Sequence, residues 1–143
     1  MKDSNEKKNG PRIRGKKGKT LLISAPEPFI RDTLRIKLAS KGYDVIVADS
    51  GKDTVRVATK NKPALVLTEI DYEDLDGVRV CQMLKGHRAT NRIPIVVLTK
   101  VKETPEKRFL FNPYVEEYIT KPFSPREVAR VVDRVISEKG SGK

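Results

Sequence analysis

The run Ala64-Leu65-Val66-Leu67-Thr68-Glu69-Ile70 constrains this chain more than any other stretch. It is apolar along nearly its whole length rather than at every second residue. That pattern suits a parallel strand covered on both faces. The strand ends on a carboxylate, Glu69, and leads into an acidic loop, Asp71-Tyr72-Glu73-Asp74-Leu75-Asp76-Gly77. Open α/β sheets collect their chemistry at the carboxyl ends of such strands. The other candidate residues are therefore judged by what they place around Glu69.

Strand and helix signals alternate on either side of this run. Thr20 to Ser24 reads as a first strand, and Pro28 suits the first turn of a helix whose core stripe is Ile30, Leu34 and Leu38. Gly42 is a natural stop, and Asp44 to Ala48 contains a second strand. Ser50 with Asp53 resembles an N-cap for a helix that Asn61-Lys62-Pro63 ends. After the acidic loop, Val78, Cys81 and Leu84 are spaced for a third helix, and Ile93 to Leu98 reads as a buried strand with Thr99 at its end. Thr104-Pro105 caps a short fourth helix through about Phe111. Glu117 to Thr120 reads as a fifth strand, followed by Lys121. Ser124-Pro125-Arg126-Glu127 is a capping box opening a last helix with Val128, Val131, Val132, Val135 and Ile136 inward. Strict β-α alternation predicts a parallel five-stranded sheet with helices on both faces, one domain over 20–138. Residues 139–143 are expected to be a loose end.

Formal charge is +11, and residues 1–20 hold +6 of it. Residues 1–19 lack hydrophobic periodicity and read as a disordered basic tail. Such a tail either keeps the chain in solution or contacts a polyanion through charge, and without aromatic residues it offers no base stacking. No apolar run approaches the roughly 18 residues a membrane span needs. Cys81 is the only cysteine, which excludes an internal disulfide and a thiolate metal cluster; both favour a cytoplasmic setting. No Ser/His/Asp set can be assembled around the lone His87, so a hydrolytic enzyme is not expected.

Four features in order give the chain a family resemblance. Leu75-Asp76-Gly77 closes the loop after Glu69; Val97-Leu98-Thr99 ends a strand on a hydroxyl; Tyr118-Ile119-Thr120-Lys121-Pro122-Phe123 joins an aromatic to a Lys-Pro pair; and the β-α order agrees throughout. From Leu21 to about Glu138 the chain resembles the receiver domain of two-component response regulators, the CheY-like family. The resemblance implies a flavodoxin-like, doubly wound (βα)5 fold with sheet order 2-1-3-4-5. It also implies a cis Lys121–Pro122 peptide, Thr99 and Lys121 as pocket residues, and Tyr118 as the switch aromatic.

The chain departs from the family at the metal pocket. The family has two adjacent acids after the first strand and a phosphoacceptor Asp ending the third, and these carboxylates hold Mg²⁺. The matching positions here are Ala25, Pro26 and Glu69. Three carboxylates and one lysine make a pocket of about −2, whereas Glu69 with Lys121 sums to about zero, which does not suit a divalent cation. Glu also carries its oxygen about 1 Å beyond where Asp would, a displacement that costs about 100-fold in an oriented reaction. The sequence therefore predicts a degenerate pseudo-receiver without Mg²⁺ or any other metal or cofactor, and without phosphorylation. The acidic loop is expected to be solvated.

The expected role is a phosphorylation-independent protein-interaction module. Glu69 and Lys121 would form a standing ion pair, with Thr99 as a further hydrogen-bond partner. The partner protein would bind across the fourth helix, fifth strand and fifth helix, where Phe109, Phe111 and Tyr114 make the chain aromatic. The alternative is a nucleic-acid or polyanion accessory that uses residues 1–19 with Arg126, Arg130 and Arg134, its binding weak and salt-dependent. A receiver that is still phosphorylated is the third reading. No membrane contact is expected.

Overall fold

The computed structural model describes residues 19–70, 72–99 and 114–141. Its elements run β1 (Thr20–Ser24), α1 (Pro28–Ser40), β2 (Asp44–Ala48), α2 (Gly51–Asn61), β3 (Leu65–Glu69), α3 (Gly77–Gly86), β4 (Ile95–Thr99), β5 (Glu117–Thr120) and α4 (Pro125–Ser141). The strands form one parallel sheet in the order β2-β1-β3-β4-β5. This is the flavodoxin-like order that the family resemblance implies. The expected fourth helix, with Phe109 and Phe111, and the basic tail through residue 18 lie outside the described residues.

The alternation of side chains along each strand divides the core in two. Leu21, Ile23, Leu65, Leu67, Val96, Leu98 and Ile119 face α1 and α4, where Leu34, Leu38, Val128, Val132, Val135 and Ile136 meet them. Leu22, Val66, Ile95 and Val97 face α2 and α3, against Val57, Ala58, Val80, Cys81 and Leu84. All five residues of β3 are buried, as its apolar run requires. Burial pushes the Cys81 thiol up to about 12, which makes it inert.

The local signals act as expected at most boundaries. Ser50 accepts a hydrogen bond from the Asp53 N–H at 3.1 Å, and Ser124 accepts one from the Glu127 N–H at 3.0 Å. Gly42 takes a φ of 100°, a conformation glycine adopts without strain. Lys121–Pro122 is cis.

Two boundaries differ from the expectation. β4 begins at Ile95 rather than Ile93, because Pro94 has no N–H to give to the ladder. The last helix does not fray at 138 but continues to Ser141. Arg134 pairs with Glu138 at 3.7 Å and Lys139 with Glu116 at 3.4 Å, which hold its last turns to itself and to the approach of β5. No helix among the described residues is long and apolar enough to cross a membrane.

Candidate functional site

Three strand ends converge at the carboxyl edge of the sheet. Ala25 follows β1 and is fully buried; Glu69 ends β3 and is 7% exposed; Thr99 ends β4 and is 1% exposed. Glu69 is paired in register with Leu98, and Thr99 with Thr120. The Lys121 N–H then donates to the Thr99 carbonyl at 2.7 Å, carrying the ladder one residue past β5. From there the Lys121 side chain reaches back across β4 and places Nζ 2.8 Å from Glu69 Oε1. The expected ion pair is formed, between side chains 20% and 8% exposed.

The pair is lopsided. Glu69 Oε2 is buried without a hydrogen-bond partner among the described residues. The bond expected from Thr99 does not reach that oxygen. Thr99 lies one residue beyond Leu98, the register partner of Glu69, so its side chain alternates to the other face of the sheet. On that face it has the parity of Val97, and so does Tyr118, which pairs with Val97 and packs half-buried against the α2–α3 side of the core.

Ala25 and Pro26 bring no side-chain oxygen to this edge. Sequence reasoning missed a cation beside them: Arg31, in the first turns of α1, donates from Nη1 to the Ala25 carbonyl at 2.8 Å. The spacing of six residues from Ala25, across two prolines and into a helix, carries no recognisable signal.

The acidic loop is anchored rather than merely solvated, a second feature the sequence did not reveal. The Tyr72 hydroxyl bonds to Ser24 Oγ and, at 2.6 Å, to Thr68 Oγ1. Ser24 in turn bonds to Thr54, which donates to the Ser50 carbonyl at 2.6 Å. Asp74 accepts from the N–H groups of Gly51 and Lys52, each at 2.9 Å, and so caps α2 from across the loop. Those N–H groups hold its carboxyl below the ordinary 3.8. Asp76 accepts from the Val78 N–H at 3.2 Å at the start of α3. An apolar-polar pattern does not show which acid in such a run finds a helix terminus, because the terminus comes from a distant segment.

Tyr72→Phe should lower stability by about 1 kcal/mol, since Ser24 and Thr68 each keep another partner. Denaturant titration of the two proteins checks this. Burial raises the Tyr72 phenol above 10.0, and burial followed by Asp133 raises that of Tyr43. Both stay protonated in the fold after they ionise in the unfolded chain. Their contribution is therefore complete below the ordinary value and is lost as pH rises above it. Melting temperature should fall as pH rises above about 10, and the fall should shrink in Tyr72→Phe.

The three arginines expected to form a basic stripe are not equivalent. Arg126 and Arg130 are exposed on α4. Arg134 is paired with Glu117 at 2.9 Å, because the helix face that presents it lies beside β5.

A doubly wound sheet of this order, with a carboxylate ending its central strand and a Lys-Pro pair after β5, defines a receiver-type signalling domain. Residues 21–133 match the response regulator receiver domain family, and the chain belongs to it. It is 37% identical over 114 residues to the alkaline phosphatase synthesis transcriptional regulatory protein PhoP of Bacillus subtilis, covering 79% of this chain and 47% of that protein. It is 33% identical over 125 residues to the phosphate regulon transcriptional regulatory protein PhoB of Pseudomonas aeruginosa, covering 87% of this chain and 55% of that one. The chain thus spans about half the length of these curated relatives. The N-terminal domain of a response regulator receiver protein from Methanoculleus marisnigri superposes with a TM-score of 0.68 at 32% identity, over 82% of this chain and 95% of that one.

Proposed function

We propose that this receiver domain of two-component signalling works without phosphorylation, as a protein-interaction module in which the Glu69–Lys121 pair stands where an aspartate would be modified. The observation that carries the proposal is the 2.8 Å contact between Lys121 Nζ and Glu69 Oε1, at an edge where Ala25 and Pro26 replace acids. The lysine that would meet an incoming phosphoryl group is already neutralised by the residue at the acceptor position.

Mg²⁺ does not fit this donor set. It takes hard oxygen ligands in a near-octahedral arrangement. Among the described residues, the carboxylate oxygens at these strand ends belong to Glu69, and one of them is bound to an ammonium group. The Ala25 carbonyl is bound to a guanidinium. A divalent cation here would sit among cations. The unpartnered Glu69 Oε2 is a single donor and does not change that balance.

The interaction surface we assign is β5 with α4 and the segment before β5. Tyr118 is turned against the core, which supports a readout arrangement held without a phosphoryl group. The polyanion reading has less support, since Glu117 and Glu138 neutralise Arg134.

The test is incubation of the full chain with acetyl phosphate and Mg²⁺, read by intact mass, beside an amide NMR spectrum with and without beryllofluoride. Mass and spectrum should both be unchanged, and Glu69→Asp should remain inert because the acids after β1 are still missing. A phosphorylated species, or beryllofluoride shifts around Glu69, Thr99 and Tyr118, would overturn the proposal.

A further inference from the structure

The opposite end of the sheet carries a cleft that the signalling edge does not use. It is an open cleft of about 270 Å³, lined by Lys19, Pro63, Ala64, Arg92, Ile93, Pro94, Ile136 and Lys139. Its apolar wall is built where β3 and β4 begin and where α4 passes them. Pro63 and Pro94 have fixed φ and no N–H, so this wall is stiff and offers no donor there.

Several backbone groups at the rim are paired within the fold. The Ala64 N–H donates to the Thr20 carbonyl at 2.7 Å, and the Ile93 N–H to the Thr90 carbonyl at 3.0 Å. The Pro94 carbonyl receives the Val66 N–H at 3.0 Å, and the Ile93 carbonyl receives Lys85 Nζ at 2.7 Å. What the cleft presents to a ligand is therefore mostly hydrocarbon, with three cations among its lining residues. Lys139 is shared with Glu116 at 3.4 Å. Lys19 and Arg92 have no ion-pair partner among the described residues.

We propose that this cleft binds a small organic anion, with an apolar body against Pro63, Pro94 and Ile136 and a carboxylate or phosphate head between Lys19 and Arg92. The volume suits a molecule of about one ring, below the roughly 300–1,000 Å³ of drug-sized pockets. An inorganic anion would leave the hydrocarbon wall unused, and a neutral ring would leave the cations unused. Neither should bind as well as a molecule that has both parts.

The experiment titrates the 143-residue chain with phenyl phosphate, inorganic phosphate and phenol, each followed through amide NMR shifts. Phenyl phosphate should give saturable shifts at Ala64, Ile93 and Lys139, with a dissociation constant on the order of 1 mM. Inorganic phosphate and phenol should each bind at least fivefold more weakly at these positions. The double variant Lys19→Glu/Arg92→Glu changes two exposed residues and should keep the parent spectrum elsewhere. It should lose about tenfold in phenyl phosphate affinity. Shifts that never saturate, that map instead to the N-terminal tail or α4 arginines, or that survive the charge reversal would overturn the assignment. Equal binding of inorganic and phenyl phosphate would overturn it as well.

Discussion

Lys121→Ala should destabilise the domain by about 2–3 kcal/mol, well beyond the cost of an ordinary surface truncation. The reason lies at Glu69, not at the lysine. Glu69 Oε2 already lacks a hydrogen-bond partner, and Oε1 takes its bond from Lys121 Nζ. Removing the ammonium leaves a carboxylate that is 8% exposed with no compensating charge at 2.8 Å. Partial solvent access to Lys121 keeps the figure below that of a fully buried pair. The double variant Glu69→Ala/Lys121→Ala should cost less than the sum of the single variants by about 1–2 kcal/mol, because the second truncation removes the charge that the first one stranded. Urea titrations of the four proteins measure this. Additive effects within about 0.5 kcal/mol would show that the pair has no energetic role. Under the proposed function, partner binding should also weaken in Lys121→Ala and should be indifferent to phosphodonor in the parent.

Gly77→Ala should cost about 3 kcal/mol, through overpacking rather than through lost charge. A Cβ at position 77 would stand 2.6 Å from the Ile70 carbonyl oxygen and 2.8 Å from both its Cα and its Cβ. Two of those atoms are backbone at the end of the central strand, so no side chain can rotate away. The glycine allows the acidic loop to close, with the first residue of α3 resting on the residue after Glu69. Opening that contact would pull on Tyr72 and Asp74, the two anchors within the loop. Gly86→Ala is the matched control, since nothing lies within 4 Å of a Cβ there. It should be neutral or slightly stabilising. Thermal and urea unfolding of both variants separate the two outcomes, and a Gly77→Ala protein as stable as the parent would refute the packing argument.

The framework of the fold was legible because its signals are local. The apolar run at β3, the valine stripe of α4 and the caps at Ser50 and Ser124 each depend on residues a few positions apart. The ion pair was legible through the family resemblance, which marks both positions: Glu69 ends β3, Lys121 follows β5, and a parallel sheet brings such ends to one edge. The described acids of the loop, Glu73, Asp74 and Asp76, are exposed as expected, but how the loop is anchored was not legible. Nothing in Asp71 to Asp76 distinguishes Asp74, which caps a helix starting 23 residues earlier, from its neighbours. Arg31 was missed in the same way, since its partner is a backbone carbonyl that any residue would supply.

Sequence alone determined the order of elements, the parallel sheet that follows from it and the absence of side-chain oxygens at Ala25 and Pro26, because side-chain chemistry and period are properties of the chain. Tertiary structure decided which oxygen of Glu69 is paired, where the loop is pinned and that a cleft bordered by cations forms at the amino ends of the strands. Those depend on distances between segments far apart in the chain, and such distances exist only once the strands are in register.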